Sequence, residues 1–401
     1  MSGFYTIATF LEDKMADISE KLFKFNPWWE SSYSTNLINR KQYLDFLERN
    51  LQNKDIILIT GLRRIGKTSI IKIFIAKLLE SIEAKNILYV SLDSLALEKY
   101  SIFEILREYR KIHHLSLAEK VYLFFDEITY RKTAHQELKN LYDQENVKIF
   151  ASASSTSIIR DTHAFLTGRS RAIEILPLSF GEFLHFKGIK TKAAEKYLLE
   201  SYFEKYMRMG GIPEYVLTND ISYIDNLIDN IIYKDIVSYY SVRDLSGIKD
   251  LFRLLMERTG KQMSINKLAK VIGLSPDTVR RYVDYFVQTY LVYTIERCGK
   301  LNERIRSPKK LYAADVGMRN HITGFRDKGA IFENLTYLKI KHKNPCYVYQ
   351  NGLELDFLFQ ETVVEVKFEK EIEAKQKSLF DQFPAKRKIL VQGMDDYLSI
   401  K

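Results

Sequence analysis

Gly61-Leu62-Arg63-Arg64-Ile65-Gly66-Lys67-Thr68 satisfies the pattern GxxxxGK[ST]. It stands where that pattern has a mechanism, after the apolar run Ile56 to Thr60 and before the helical run Ser69 to Leu79. The two glycines let the backbone wrap closely round phosphate, while N–H groups of the loop and of the helix start point at the anion. Lys67 supplies a positive charge near the β and γ phosphates, and the Thr68 hydroxyl is placed to ligate Mg²⁺. Residues Gly61 through Ser69 are thus the expected cradle for ATP with Mg²⁺.

A metal held by one hydroxyl needs a carboxylate from another strand. Asp126 ends the apolar run Tyr122-Leu123-Phe124-Phe125, so it should emerge at the carboxyl edge of a sheet, where ligands bind in such folds. Glu127 beside it can orient, or take a proton from, the water that attacks the γ phosphate, which favours hydrolysis over mere binding. The next apolar run, Lys148 to Ala153, finishes among Ser152, Ser154, Ser155 and Thr156; Ser154 is the expected contact to the γ phosphate or its water. Arg169, after Gly168, is placed to neutralise transition-state charge in a neighbouring subunit's site, which would make the protein a homo-oligomer; the alternative is an ordinary surface ion pair.

The elements that must position these groups follow from periodicity. Ile56 to Thr60, Ile87 to Leu92, Val121 to Phe125, Ile149 to Ala153 and Ile173 to Leu176 are short apolar runs alternating with helical stretches. That alternation predicts a mostly parallel sheet covered by helices, an α/β fold. Before it, Phe4, Ile7, Phe10, Leu11, Met15, Ile18 and Leu22 mark an amphipathic helix ending ahead of Asn26-Pro27, with Trp28 and Trp29 pinning the arm. Residues 186–245 read as a helical lid broken by Gly210-Gly211-Ile212-Pro213.

A helix-turn-helix follows. Ile265, Leu268, Ala269 and Ile272 form one face, Gly273-Leu274-Ser275 the turn, and Pro276 opens a second helix with Val279, Tyr282, Val283 and Phe286 inward. Thr278, Arg280 and Arg281 would face out, and a wing would follow with Arg297, Lys300, Arg304, Arg306, Lys309 and Lys310, a layout suited to DNA. Asp277 and Asp284 weaken the field of the helix, so a protein-contacting module is the alternative.

Taken with Leu166-Thr167-Gly168-Arg169, Pro177-Leu178-Ser179-Phe180, Glu182-Phe183 and Gly210-Gly211-Ile212-Pro213-Glu214, the loop and Asp126-Glu127 resemble the AAA+-like archaeal and bacterial ATPases that carry a C-terminal endonuclease-like domain. Ala151-Ser152-Ala153-Ser154-Ser155 departs from the Thr-Gly-Ser-Ser usual in that family. The resemblance implies a P-loop ATPase sheet with helical lid, followed by a winged helix and a small α/β restriction-endonuclease-like domain. After an N-terminal helical arm at 1–50, the corresponding segments are the ATPase core at 51–185, the lid at 186–245, the winged helix at 246–310 and the endonuclease-like domain at 311–401.

From residue 329 the order helix, three strands, helix, strand is similar to the core of PD-(D/E)xK folds. A two-residue turn at Gln360-Glu361 would set Asp356 opposite Glu365, and Glu354 opposite Lys367, on one face. Such a cluster could bind Mg²⁺ through Asp356 and Glu365 while Lys367 positions a water, and Glu333 matches the family's further acidic position. An exposed lattice of ion pairs is the plainer alternative.

The balance of the chain bounds the rest. It has 401 residues, 46% of them apolar, enough for several cores, and its net charge of +10 favours an anionic partner such as nucleic acid. Two cysteines far apart, Cys298 and Cys346, are expected to be reduced thiols. No run approaches the ~20 apolar residues of a membrane span and no signal-peptide order is seen, so no membrane partner is expected and the cytoplasm is the default address. Two outcomes stay open: an ATP-regulated nuclease, or a nucleotide-switched regulator with an inert last domain.

Overall fold

The computed structural model describes residues 18–155, 166, 168–190 and 195–400. Most of the predicted N-terminal helix, and Thr156 and Thr167, lie outside the described residues. The chain divides into two compact units, one comprising Gly66–Ile175 with the residues up to Gly61, the other Leu62–Ile65 with Leu176–Lys401.

The first unit is built on a five-stranded parallel sheet. Its strands are β1 (Ile56–Thr60), β2 (Ile87–Ser91), β3 (Val121–Asp126), β4 (Val147–Ala153) and β5 (Ser170–Glu174), in the order β2-β3-β4-β1-β5. β1 and β4 are buried at every residue, which is why they read as continuous apolar runs rather than alternating ones. Phe124 and Phe150 stack, and Phe74 of the helix Lys67–Leu78 packs edge-on against both. Residues of the opposite parity, among them Leu58, Leu123, Phe125 and Ile149, join the core with Leu106 and Tyr109 of helix Ile102–Ile112 and Leu138 and Leu141 of helix Ala134–Gln144.

β5 begins three residues earlier than the apolar run suggested. Its register is set by pairing with β1, Ile56 against Ser170 through Thr60 against Glu174, and as an edge strand it carries exposed Arg171 and Ala172. At the other edge the arm is docked by its side chains. Trp28 and Trp29 both donate Nε1–H to the Ile87 carbonyl, and the buried Asn26 amide exchanges two hydrogen bonds with the backbone of Tyr89.

The second unit opens with helices Phe180–Phe186, Lys196–Met209, Pro213–Thr218, Ser222–Asn230 and Leu245–Glu257, with a π-helical stretch over Ile231–Ser238. The Gly210-Gly211 turn is held from a distance in sequence. Buried Asp315 accepts from Gly211 N–H at 2.6 Å and caps helix Val316–Thr323 through Met318 N–H, and burial pushes its carboxyl up to about 6. Gly317 abuts this turn so closely that a Cβ there would lie 1.9 Å from the Met209 carbonyl oxygen. Gly317→Ala is therefore expected to lower the stability of this unit by about 1–3 kcal/mol. An unchanged urea midpoint by circular dichroism would contradict that close approach.

The predicted helix-turn-helix residues form helices Ile265–Ile272 and Pro276–Gln288, with Ser275 accepting from Thr278 N–H and Pro276 in the first turn. Strands β6 (Gln262–Met263), β7 (Val292–Ile295) and β8 (Lys309–Ala313) make a small antiparallel sheet in the order β6-β8-β7. β7 and β8 are not joined by a simple hairpin, because helix Leu301–Arg306 lies between them. A boundary drawn at residue 310 cuts through β8.

The last sheet has the order β12-β11-β10-β9, from β9 (Cys346–Gln350), β10 (Leu353–Phe359), β11 (Thr362–Val366) and β12 (Arg387–Val391). Only β11 and β12 run parallel. Cys298 and Cys346 are joined as a disulfide, with Cα atoms 5.2 Å apart, contrary to the expectation of two free thiols. Their separation of 48 residues hid an adjacency that the backbone enforces, since Cys298 N–H donates to the Tyr347 carbonyl at 2.7 Å.

Candidate nucleotide site and the C-terminal ion cluster

β1 runs straight into the loop. Gly61 has φ +132°, and a Cβ there would lie 2.4 Å from the Ile175 carbonyl oxygen, so no other residue fits. Gly66 is left-handed at φ +100° immediately before helix Lys67–Leu78, and Ser69 is half-buried in the first turn. Leu62 and Ile65 are buried, Arg63 makes a bidentate pair with Asp235 at 2.7 and 2.8 Å, and the Arg64 guanidinium lies 5.6 Å over the Tyr223 ring.

Behind the loop the predicted acidic pair converges on the predicted cationic and hydroxyl groups. Lys67 Nζ, almost fully buried, donates to the Gly61 carbonyl at 3.1 Å and lies 3.7 Å from Glu127 Oε1. Thr68 Oγ1 donates to Asp126 Oδ2 at 2.6 Å. A hydroxyl and a carboxylate within one hydrogen bond of each other are hard oxygen donors of the kind Mg²⁺ takes alongside phosphate. Glu127 adopts φ +53°, and Ser154 Oγ donates to its Oε2 at 2.8 Å. Ser154 therefore sits against the carboxylate expected to handle water.

Of two further residues here, Tyr89 escaped the reading of the sequence, whereas Ser152 stood among its candidate serines. Ser152 Oγ donates to Asp126 Oδ1 and accepts from Glu127 N–H at 2.9 Å, bridging the pair. Tyr89 donates its hydroxyl to Asp126 Oδ2 at 3.0 Å; burial, reinforced by the Asp126 charge, holds that phenol protonated far above its usual range. In sequence Tyr89 is one more core aromatic, and its role appears only once β2 is known to lie beside β3. Arg169 pairs with Asp143 at 3.1 Å on the surface, the plainer of its two expected fates within one chain.

In the C-terminal sheet, Phe357 pairs with Val364 and Phe359 with Thr362 across a two-residue turn, and continuing that register sets Asp356 opposite Glu365. Asp356 N–H donates to Glu365 Oε2 at 3.2 Å, and Val366 N–H to Asp356 Oδ2 at 2.9 Å. Lys367 Nζ lies 2.9 Å from Glu365 Oε1, which also accepts from Gln376.

The expected metal role of Glu333, Asp356 and Glu365 does not fit this arrangement. Lys310, 1% exposed, reaches Glu333 Oε1 at 2.8 Å, Glu354 Oε1 at 2.6 Å and Asp356 Oδ1 at 2.8 Å. The remaining oxygens of Asp356 and Glu365 accept from backbone, Gln376 and Lys367, so the cluster is assembled round an ammonium. Among the described residues no group of three or more His, Cys, Asp or Glu side chains is arranged to hold a metal ion. Lys310 was expected on an exposed wing; instead it lies on the central strand of the small sheet, opposite both Gln262 and Ile295.

The charges there are strongly perturbed. Burial pushes the Glu333 carboxyl up to about 7 and the Glu365 carboxyl up to about 8, the Asp356 charge adding to both. Burial works against the Lys310 ammonium, yet Asp356 and Glu333 hold its pKa well above the usual value.

The first unit thus combines a parallel sheet ordered β2-β3-β4-β1-β5 with a glycine-rich loop after β1 and an Asp-Glu pair at the end of β3, and it is this part of the chain that matches an AAA-type domain. Residues 53–184 match the AAA domain, and residues 200–329 match a domain of unknown function. The chain is 30% identical over 383 residues to the uncharacterized protein MJ1544 of Methanocaldococcus jannaschii, spanning 88% of this chain and 84% of that one, and it belongs to the same family. An uncharacterized protein of Haemophilus influenzae is 24% identical over 322 residues, 77% of this chain and 79% of its own. Among solved structures, the Aeropyrum pernix ORC1 protein in complex with DNA aligns at 11% identity with a TM-score of 0.32, over 74% of this chain and 96% of that one. So slight a likeness carries no inference about this chain.

Proposed function

We propose that this protein binds ATP with Mg²⁺ and hydrolyses it, and that turnover governs a C-terminal region that engages DNA without cutting it. The observation that carries the reading is the 2.6 Å bond between Thr68 and Asp126 with Glu127 one residue further on, behind a loop of the right sequence. In this reading Gly61 through Ser69 cradle the phosphates, Lys67 draws charge from the β and γ phosphates, and Thr68 and Asp126 hold Mg²⁺. Bound there, the ion would neutralise charge on the phosphate oxygens. Glu127 takes up the proton of the attacking water while Ser154 keeps its carboxylate in place.

The net charge of +10 supports a polyanion such as DNA as the partner. Cleavage at Asp356, Glu365 and Lys367 is the weaker reading, because the ammonium of Lys310 stands among the carboxylates that would have to hold the metal. Among the described residues no helix is long and apolar enough to cross a membrane.

Lys67→Ala tests the nucleotide assignment directly. Equilibrium binding of ATP with Mg²⁺ is expected to weaken at least roughly tenfold, because a buried charge beside the phosphates is lost. Binding equal to that of the unaltered protein would end this reading.

A further inference from the structure

The helix expected to read DNA is poorly charged for it. On Pro276–Gln288 the two outward arginines are matched by two carboxylates, Asp277 and Asp284, and Arg280 is already paired with Asp277 at 2.7 Å. Arg281 donates to Thr278 at 3.3 Å. Its first turn, the part that approaches base edges in such modules, carries an exposed acid.

The cationic surface lies elsewhere in the same unit. Arg297, Arg304, Lys309 and Lys341 line a cleft of 610 Å³ in which Glu296 is the one acidic lining residue; it is shared between Arg304 at 2.7 Å and Lys309 at 3.5 Å, so the cleft keeps an excess of positive charge that the helix, with two acids to two arginines, does not. Lys300 and Arg306 flank it on the exposed helix segment, and Lys343 follows Lys341. Arg297 donates from Nη2 to the Tyr349 carbonyl at 2.8 Å, while its buried Nε has no acceptor among the described residues. The walls are tied rather than loose: Tyr347 N–H donates to the Glu296 carbonyl at 3.1 Å, Cys298 N–H to the Tyr347 carbonyl, and the Cys298–Cys346 disulfide joins the two sides. A preorganised cleft with cations in excess is suited to a polyanion, since binding releases condensed counterions without costly ordering of the protein.

We infer that this cleft, and not the second helix of the helix-turn-helix, is where the phosphodiester backbone of DNA binds. The inference rests on the reading that the C-terminal region engages DNA, and it names the face that does so. Phosphate contact at this cleft gives affinity with little base specificity.

The test is a salt titration of binding to fluorescent DNA, duplex and single-stranded, by the full chain. Arg304→Ala with Lys309→Ala, and separately Lys341→Ala, are compared with Arg280→Ala combined with Arg281→Ala. All five positions are on the surface or partly so, and circular dichroism confirms folding. The double cleft variant is expected to bind roughly tenfold more weakly at 0.1 M salt and to lose about two units of the log–log salt slope, Lys341→Ala about one. The helix variant should stay within about twofold. Binding lost in the helix variant and kept in the cleft variants would overturn the inference while leaving the DNA reading intact. An unaltered protein with no salt-sensitive binding to either probe would remove the DNA reading and the inference together.

Discussion

Lys310→Met is expected to cost the second unit about 3–5 kcal/mol at pH 8, the penalty for removing one partner of a buried ionic cluster. The side chain is 1% exposed and its ammonium satisfies three carboxylates at once. Methionine fills the volume but leaves Glu333, Glu354 and Asp356 facing one another in a site from which water is largely removed. The loss should shrink as pH falls. Glu333 titrates near 7 in the folded protein against an ordinary value of 4.5, a raised pKa, so its contribution is fully present below the unfolded value and is lost as pH rises through 7. Without the ammonium Glu333 loses the neighbouring charge that holds its pKa down, and its protonation at pH 5 relieves repulsion that is felt in full at pH 8.

Urea denaturation separates this effect from a general loss of fold. The two tryptophans, Trp28 and Trp29, both belong to the first unit, so their fluorescence reports that unit while circular dichroism reports both. The transition seen by circular dichroism alone should move to lower urea at pH 8, and less so at pH 5. A variant within 1 kcal/mol of the parent at pH 8 would mean that the cluster is not held by Lys310.

What the sequence revealed and what it hid divide along a physical line. Apolar runs betray strands buried on both faces, so β1, β3 and β4 were legible, and a loop whose glycines have no substitute carries its own signature. β5, an edge strand with exposed Arg171, has no such run, and its start is fixed by pairing with β1. Local chemistry likewise predicted Pro276 at the start of the second helix and the Gln360-Glu361 turn, hence the Asp356 and Glu365 register. Lys310 was invisible because a lysine in a basic stretch looks solvent-exposed until the sheet order makes its strand the central one. Tyr89 and the Cys298–Cys346 pair were hidden for the same reason: each acts through a neighbour supplied by another strand or loop.

Glu127→Gln should abolish turnover while sparing ATP binding. The amide cannot accept a proton, and loss of a positioned general base costs roughly 10²–10⁴-fold in rate. The local structure should tolerate the change. Glutamine matches glutamate in size, its amide oxygen can face Lys67 as Oε1 does at 3.7 Å, and its NH₂ can donate to Ser154 Oγ, a hydroxyl that both gives and takes hydrogen bonds. The left-handed backbone at this residue is no harder for the one than for the other. Phosphate release under saturating ATP and Mg²⁺ should therefore fall at least a hundredfold, while equilibrium binding of ATP moves by no more than a few-fold. Turnover that survives would shift the proton-accepting role away from Glu127. A loss of binding larger than tenfold would instead make Glu127 a structural partner of Lys67, and the pair an ion bridge that shapes the loop rather than a base poised beside the phosphate.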